Sequence, residues 1–114
     1  MPIPLYRAKA DFFRMLGHPA RIRVLELLAE GDKPVHELLA GISIEAASLS
    51  QQLAKLRLAG LVTRSRVNGE VVYSLALPEV EELLRAARVI LQSHAGDTVQ
   101  LVDDLTPAKT RSAS

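Results

Sequence analysis

Four polar side chains recur at helical spacing near the middle of the chain: Ser48, Gln51, Gln52 and Lys55. At positions i, i+3, i+4 and i+7 they share one face of an α-helix. Hydroxyl and amide groups both donate and accept hydrogen bonds, which suits them to the base edges and phosphates of double-stranded DNA. A solvated helix face more often carries paired Glu and Lys. The spacing therefore predicts a helix face that binds DNA.

Two arginines follow in a segment with the alternation of a β-strand. One residue separates Arg64 from Arg66, so both side chains project from the same face of an extended strand. Asn68 and Gly69 then form the strongest short-range signal for a hairpin, because their two-residue turn needs a positive φ twice. Such a hairpin can lie along a phosphate backbone or reach into the minor groove. Alone, it is equally compatible with a solvated hairpin bearing incidental arginines; the polar helix beside it favours DNA.

The surrounding pattern predicts the elements that carry these residues. Strand-like runs cover 61–67 and 70–76, and helical periodicity covers 5–16, 19–29, 35–40, 45–58 and 78–94. A short helix, a tight turn, a longer helix and a hairpin in that order make a helix-turn-helix with a β-wing. We expect a mainly α fold with a β-hairpin wing, α-α-α-α-β-β-α, over residues 1–97. Residues 98–114 are predicted to be a tail with at most one short helix before disorder.

Composition narrows the class of protein further. The 114 residues suffice for one domain, and a hydrophobic fraction of 48% is too high for a disordered chain. The absence of cysteine excludes disulfides, thiolate metal sites and thiol redox switches. No stretch approaches the roughly 20 apolar residues of a membrane-spanning helix, and no signal peptide is recognisable. Since no catalytic constellation stands out either, we expect a cytoplasmic protein that is not an enzyme and has no membrane partner.

The net charge of +1 conceals a strong segregation of charge. Residues 46–69 contain four bases and no acid, whereas residues 70–105 contain seven acids and two bases. The basic stretch coincides with the predicted polar helix and hairpin, and a clustered basic segment is the electrostatic footprint of nucleic-acid binding. The acidic stretch is then expected to lie away from the DNA.

The last predicted helix carries more apolar surface than one small subunit can bury. These residues could all pack inside the subunit, but a monomer would also read only one half-site of DNA. Pairing that helix with its symmetry mate and with the first helix buries the surplus and sets two recognition helices about one DNA turn apart. We therefore expect a homodimer that binds an inverted repeat and has an interface of Phe12, Phe13, Leu16, Leu83, Leu84, Ala87, Ile90 and Leu91.

Three segments together resemble the ArsR/SmtB-type bacterial transcriptional repressors, and the resemblance covers residues 8–94. L-G-H-P-A-R-I-R-V-L starts at Leu16, V-H-E-L starts at Val35, and the most specific segment, S-Q-Q-L-A-K-L-R-L-A-G-L-V, starts at Ser50. The resemblance implies a homodimer that pairs through its first and last helices and represses its own operon until an inducer releases it. By matched position it assigns DNA contacts to Ser48, Ser50, Gln51 and Gln52, and wing contacts to Arg66, Asn68 and Gly69.

The chain departs from that family at its sensing sites and at one DNA-facing pair. Two histidines are usual where Gln51 and Gln52 stand, although both residue types are polar. The cysteine pairs and the spaced Asp and His array of the family's known sensors are absent, and His36 alone does not make a site. The resemblance therefore leaves the inducer, whether a small molecule or a protein, unassigned, and we expect no cofactor.

The histidines also have simple structural interpretations. We expect His18 to cap or turn the chain before Pro19, and His36 to lie on the surface of the short helix. His94 is predicted near the C-terminus of the last helix, where the helix dipole favours it. A metal site shared by His18 and His94 across the dimer is the alternative.

Two functions from different classes fit this sequence. One is a sequence-specific DNA-binding repressor, and the alternative is a winged-helix module that binds another protein and has no operator of its own. The basic cluster of Lys55, Arg57, Arg64 and Arg66 favours the first.

Overall fold

The computed structural model describes residues 2–94, so Met1 and residues 95–97 of the predicted domain and the predicted tail 98–114 lie outside the described part of the chain. The described residues form five helices and three strands. The helices are α1 (Leu5–Leu16), α2 (Pro19–Ala29), α3 (Val35–Ala40), α4 (Ala46–Leu58) and α5 (Pro78–His94). The strands are β1 (Lys33–Pro34), β2 (Val62–Val67) and β3 (Glu70–Leu75). The predicted mainly α fold with a β-hairpin is confirmed, and β1 is an addition to it.

The chain divides into two compact units, and the division falls between Glu82 and Leu83. The first contains α1 to α4, the sheet and the start of α5, and the second begins within α5. Among residues 2–94, no helix combines the length and the apolarity that crossing a bilayer requires.

The core of the first unit is built mainly from leucines of α2, α3 and α4. Their spacing of three and four residues brings one side of each helix inward. Burying one such side chain completely is worth about 1.5–3 kcal/mol. The largest fully buried side chains are Val24, Leu25, Leu38, Leu49, Leu53 and Leu56.

Two local features fix where α2 begins. His18 precedes the helix with extended backbone, and its Nδ1 accepts a hydrogen bond from the Ala20 backbone N–H at 3.2 Å. Pro19 occupies the first turn, where its missing N–H costs nothing. The predicted capping role of His18 is therefore confirmed.

The turn between α3 and α4 packs tightly against α2. A Cβ added at Gly41 would stand 2.9 Å from both terminal methyls of Leu27, so this position accepts no larger residue without movement. Arg23 of α2 donates from Nε to the Gly41 carbonyl at 2.9 Å. These contacts hold the turn of the helix-turn-helix against the helix beneath it.

The three strands form an antiparallel sheet in the order β1-β3-β2. In β1, Lys33 pairs with Tyr73 and Pro34 pairs with Val72. Proline suits an edge strand because it has no N–H to donate to a further neighbour. Since β1 precedes α3 directly, it ties the middle of β3 to the helix-turn-helix.

The hairpin turn has the predicted backbone conformation. Asn68 has φ 53° and Gly69 has φ 81°, so both central residues lie in the left-handed region. A two-residue turn of this hand matches the right-handed twist of the strands that it joins.

Candidate nucleic-acid interface

One side of α4 is buried and the other is open to solvent. Leu49, Leu53 and Leu56 are buried in the core. The opposite side is exposed and carries small or polar residues near its start. The predicted exposed positions are confirmed for Ser48, Ser50, Gln51 and Lys55.

Gln52 does not lie on that open side. Its side chain is only 8% exposed, and its Oε1 accepts a hydrogen bond from Nε of Arg21 at 2.7 Å. Consecutive residues of a helix are about 100° apart, so a face centred on Gln51 turns Gln52 toward the core. Gln52 lies one turn before Leu56, about 40° away around the helix axis. The expectation that the Gln52 side chain faces DNA is therefore wrong.

Arg21 on α2 is the partner of Gln52, a contact that the sequence did not reveal. Besides its bond to Gln52, its Nη1 donates to the Met15 carbonyl at 3.0 Å and lies 3.3 Å from the Met15 sulfur. Arg21 thus connects the end of α1, the start of α2 and the middle of α4. The available signal was an arginine one residue after buried Ala20 and four before buried Leu25. That spacing predicts that the Arg21 side chain is partly buried, but it does not identify the residue to which Arg21 donates a hydrogen bond.

The β2–β3 register sets the direction of the two wing arginines. Arg64 stands opposite Tyr73 and Arg66 stands opposite Val71, while Val62 on the same strand face is buried. Residues two apart on a strand share a face. The predicted common face of Arg64 and Arg66 is confirmed, and it continues the face that covers the core near Val62 and Tyr73.

Arg66 also organises the tip of the wing. Its Nη1 donates to the Gly69 carbonyl at 3.0 Å, across the turn formed by Asn68 and Gly69. A guanidinium has five N–H donors, so this bond leaves others to reach an external acceptor. Arg64, Arg66, Asn68 and Gly69 are all exposed. The wing therefore presents positive charge beside an exposed turn.

The wing contacts α3 beside its turn, through a histidine and a carboxylate. Nδ1 of His36 lies 3.4 Å from Oε2 of Glu70, the first residue of β3, and its Nε2 lies 4.0 Å from Glu37. The predicted surface position of His36 is confirmed, since its side chain is mostly exposed. Exposed pairs of this kind contribute little to stability, at most about 1 kcal/mol.

The residues expected at a dimer interface differ in their exposure. Phe12 is half-buried and Phe13 exposed, and their rings meet edge to face with centroids 5.6 Å apart. Leu16, in contrast, is only 5% exposed and belongs to the core of its own subunit. The expectation that Leu16 offers surface to a partner is therefore wrong.

The part of α5 that begins at Leu83 has an apolar side. Leu83 and Leu84 are half-buried, and Ala87 is exposed. Ile90 and Leu91 are 58% and 56% exposed. His94 is the last residue of the helix, as predicted. Among residues 2–94, no three acidic or histidine side chains form a group able to hold a metal ion, and a site that combines His18 with His94 stays a hypothesis.

Comparison with known proteins assigns the family. Residues 18–64 match the family model described as bacterial regulatory protein, arsR family. The HTH-type transcriptional regulator Rv0081 of Mycobacterium tuberculosis is 48% identical over 103 residues, which cover 90% of each chain. This chain belongs to the arsR family of bacterial regulatory proteins. ArsR-family membership makes it a transcriptional regulator with a winged helix-turn-helix, and the fold predicted from the sequence is that fold.

Solved and curated relatives agree with this assignment. The crystal structure of M. tuberculosis Rv0081 aligns with a TM-score of 0.74 at 48% identity and covers 84% of this chain and 97% of that chain. The biofilm growth-associated repressor of Agrobacterium fabrum is 35% identical over 94 residues, 79% of this chain and 80% of that protein. A homodimeric winged helix-turn-helix domain, Mb0332 from Mycobacterium bovis, aligns with a TM-score of 0.70 at 23% identity, covering 86% and 91%, and shows the fold alone.

Proposed function

We propose that this ArsR-family chain is a homodimeric repressor that binds an inverted-repeat operator through α4 and the wing. The observation that carries the proposal is the open side of α4, where Ser48, Ser50, Gln51 and Lys55 are exposed. No acid interrupts the basic stretch from 46 to 69 that contains this side and the wing arginines. Such a regulator acts at the chromosome, in the cytoplasm, and works by binding without catalysing a reaction.

Gln51 has the chemistry to read a base. A glutamine amide can pair with adenine through its N6 and N7 atoms in the major groove, and a good bidentate contact is worth about 1–3 kcal/mol of discrimination. The burial of Gln52 leaves Gln51 as the exposed amide of α4. We therefore assign sequence reading chiefly to Gln51.

The other exposed residues suit the DNA backbone. Hydroxyls of Ser48 and Ser50 and the ammonium of Lys55 can donate to phosphates, which fixes the orientation of the helix but carries no sequence information. Arg64 and Arg66 add two cations at the wing, with the Asn68–Gly69 turn at its tip. Each phosphate that these cations neutralise releases counterions and makes binding more sensitive to salt.

A homodimer completes the proposal because one winged helix reads only one half-site. Recognition helices of a two-fold dimer meet half-sites about 34–36 Å apart. Phe12 and Phe13 of α1 and the apolar side of α5 supply surface for such pairing. The relatives support the proposal, since the A. fabrum protein is called a repressor and Mb0332 is described as homodimeric.

One observation favours the second candidate, a winged helix that binds a protein. Leu58, at the end of α4, is 92% exposed and lies seven residues after Gln51 on the same side of the helix. A large exposed apolar side chain is more usual at protein interfaces than beside phosphates. In the DNA-binding proposal, Leu58 instead contacts the methyl group of a thymine.

Selection of bound sequences from a random DNA pool tests the proposal directly. We expect an enriched inverted repeat with half-sites one helical turn apart, bound with an affinity that falls steeply as salt rises. Sedimentation of the free protein, expected to show a dimer, is the companion measurement. A pool that yields no enriched sequence, from protein shown to be folded, would favour the protein-binding alternative.

A further inference from the structure

Arg21 joins three helices through one guanidinium group. Its Nε donates to Oε1 of Gln52 on α4 at 2.7 Å, and its Nη1 donates to the carbonyl of Met15 in the last turn of α1 at 3.0 Å. Arg21 itself lies in the first turn of α2 and is half-buried. All three residues lie within the first compact unit.

The geometry of these bonds restricts how α4 can sit. A guanidinium is planar, and the directions of its N–H groups are fixed relative to one another. One nitrogen points to α1 while another points to α4, so a shift of either helix lengthens at least one bond. Gln52 is 8% exposed, so water cannot readily replace Arg21 as the donor to its amide oxygen.

We propose that Arg21 is a positioning residue for DNA binding, which holds α4 to the end of α1 through Gln52. The proposal rests on the proposed function, in which the neighbouring Gln51 reads DNA. Rotation of α4 that breaks the bond to Gln52 also turns the Gln51 side chain away from the DNA. Movement at the end of α1 is transmitted to α4 by the same guanidinium.

Two glutamate substitutions one residue apart separate positioning from DNA contact. Gln52→Glu keeps an acceptor for Arg21, now charged, and we expect its affinity for the selected DNA to stay within about threefold of wild type. Gln51→Glu puts a carboxylate on the exposed side facing phosphates, and we expect it to lose at least about tenfold. Equal losses in the two variants would mean that Gln52 contacts DNA, which contradicts the proposal.

Removal of the bond tests whether it positions α4. Gln52→Met and Arg21→Met each delete one partner, and each should lower operator affinity about tenfold at a temperature where both remain folded. The double variant should lose no more than the worse single variant, because the two residues act as one unit. Arg21→Lys, whose ammonium lacks the guanidinium's fixed fork, should fall between wild type and Arg21→Met.

The backbone amide resonance of Gln51 gives a readout that does not depend on DNA. We expect it to move in Arg21→Met and to lie closer to the wild-type position in Arg21→Lys, whose ammonium can still donate to Gln52. If Arg21→Met lowers the melting temperature yet leaves this resonance and operator affinity unchanged, Arg21 is merely structural. If wild type itself selects no DNA, the proposed function fails, while the resonance still decides whether Arg21 positions α4.

Discussion

Arg21 and Gln52 are 31 positions apart in the sequence, yet the arginine Nε and the glutamine Oε1 meet at 2.7 Å. The contact places two adjacent glutamines in different environments. Gln52 becomes an internal acceptor that links helices, and Gln51 stays exposed on the open side of α4. Two neighbouring residues of the same type thus differ in their surroundings because a helix turns about 100° between them.

Gln51→Ala should reduce discrimination between the operator and random DNA. Removal of a bidentate base contact costs about 1–3 kcal/mol on the operator, which is roughly 5- to 150-fold in affinity. Binding to random DNA should change much less, because phosphate contacts supply it. Titration of both DNAs at one salt concentration measures the difference, and an equal loss on both would remove Gln51 from base reading.

Arg64→Ala should weaken binding to operator and random DNA alike and flatten the salt dependence. Removing the cation from one phosphate reduces the slope of log affinity against log salt by about 0.9. Arg14→Ala is the matched control, since it removes an exposed cation that pairs with Asp11 on α1. Affinity measured across a range of salt concentrations should show an unchanged slope for the control. An unchanged slope in Arg64→Ala would show that this arginine makes no phosphate contact.

Arg66→Ala should have a larger effect than Arg64→Ala. The substitution removes a cation and also the hydrogen bond to the Gly69 carbonyl that closes the wing tip. Arg66→Lys keeps the charge and should recover the salt slope while recovering only part of the affinity. The comparison uses the same titrations, and identical behaviour of the alanine and lysine variants would rule out a role for charge.

His18→Ala should destabilise the subunit without touching the DNA-binding side. The substitution deletes the acceptor for the Ala20 N–H at the start of α2, and loss of an N-cap costs about 1 kcal/mol. His18→Asn retains a capping acceptor, so its free energy of unfolding should lie close to that of wild type. Urea unfolding at one fixed protein concentration measures both, because a dimer's stability depends on concentration. Equal stability of the alanine variant and wild type would contradict the capping role.

Ile90→Glu should dissociate the proposed dimer. The substitution puts a charge on the apolar side of α5, where Ile90 is 58% exposed in the single subunit. Gln92→Glu introduces the same charge two residues on, about 200° around the helix, and should leave the dimer intact. Sedimentation at micromolar protein distinguishes the two species. If Ile90→Glu remains dimeric, the interface lies elsewhere.

Helix boundaries were predictable because local residues set them. Pro19, Pro34 and Pro78 mark helix starts, and Gly60 has a φ of 79° just after α4 ends. The Asn68–Gly69 turn was equally local. Strand β1 was not predictable, because two residues carry no periodicity and their pairing with β3 depends on residues far along the chain.

The candidate site was predictable in composition but not in detail. A polar stripe identified α4, yet the stripe was wide enough to reach the core side, and only packing showed that Gln52 lies there. Leu16 was misassigned for a similar reason, since an apolar residue on a helix can face its own core or a partner. Arg21 escaped prediction because sequence spacing cannot pair it with Gln52 across the intervening helix α3.

The short strand β1 also governs the order in which the protein can fold. Lys33 and Tyr73 are neighbours in the sheet, but their pairing closes a loop that contains α3 and α4. Closing a long loop costs chain entropy, and the contacts that offset this cost form only after the loop has closed. An isolated two-stranded hairpin is marginal in water, so the wing acquires its full sheet only when the helices have folded. The wing and the helix-turn-helix are therefore expected to melt together as one cooperative unit.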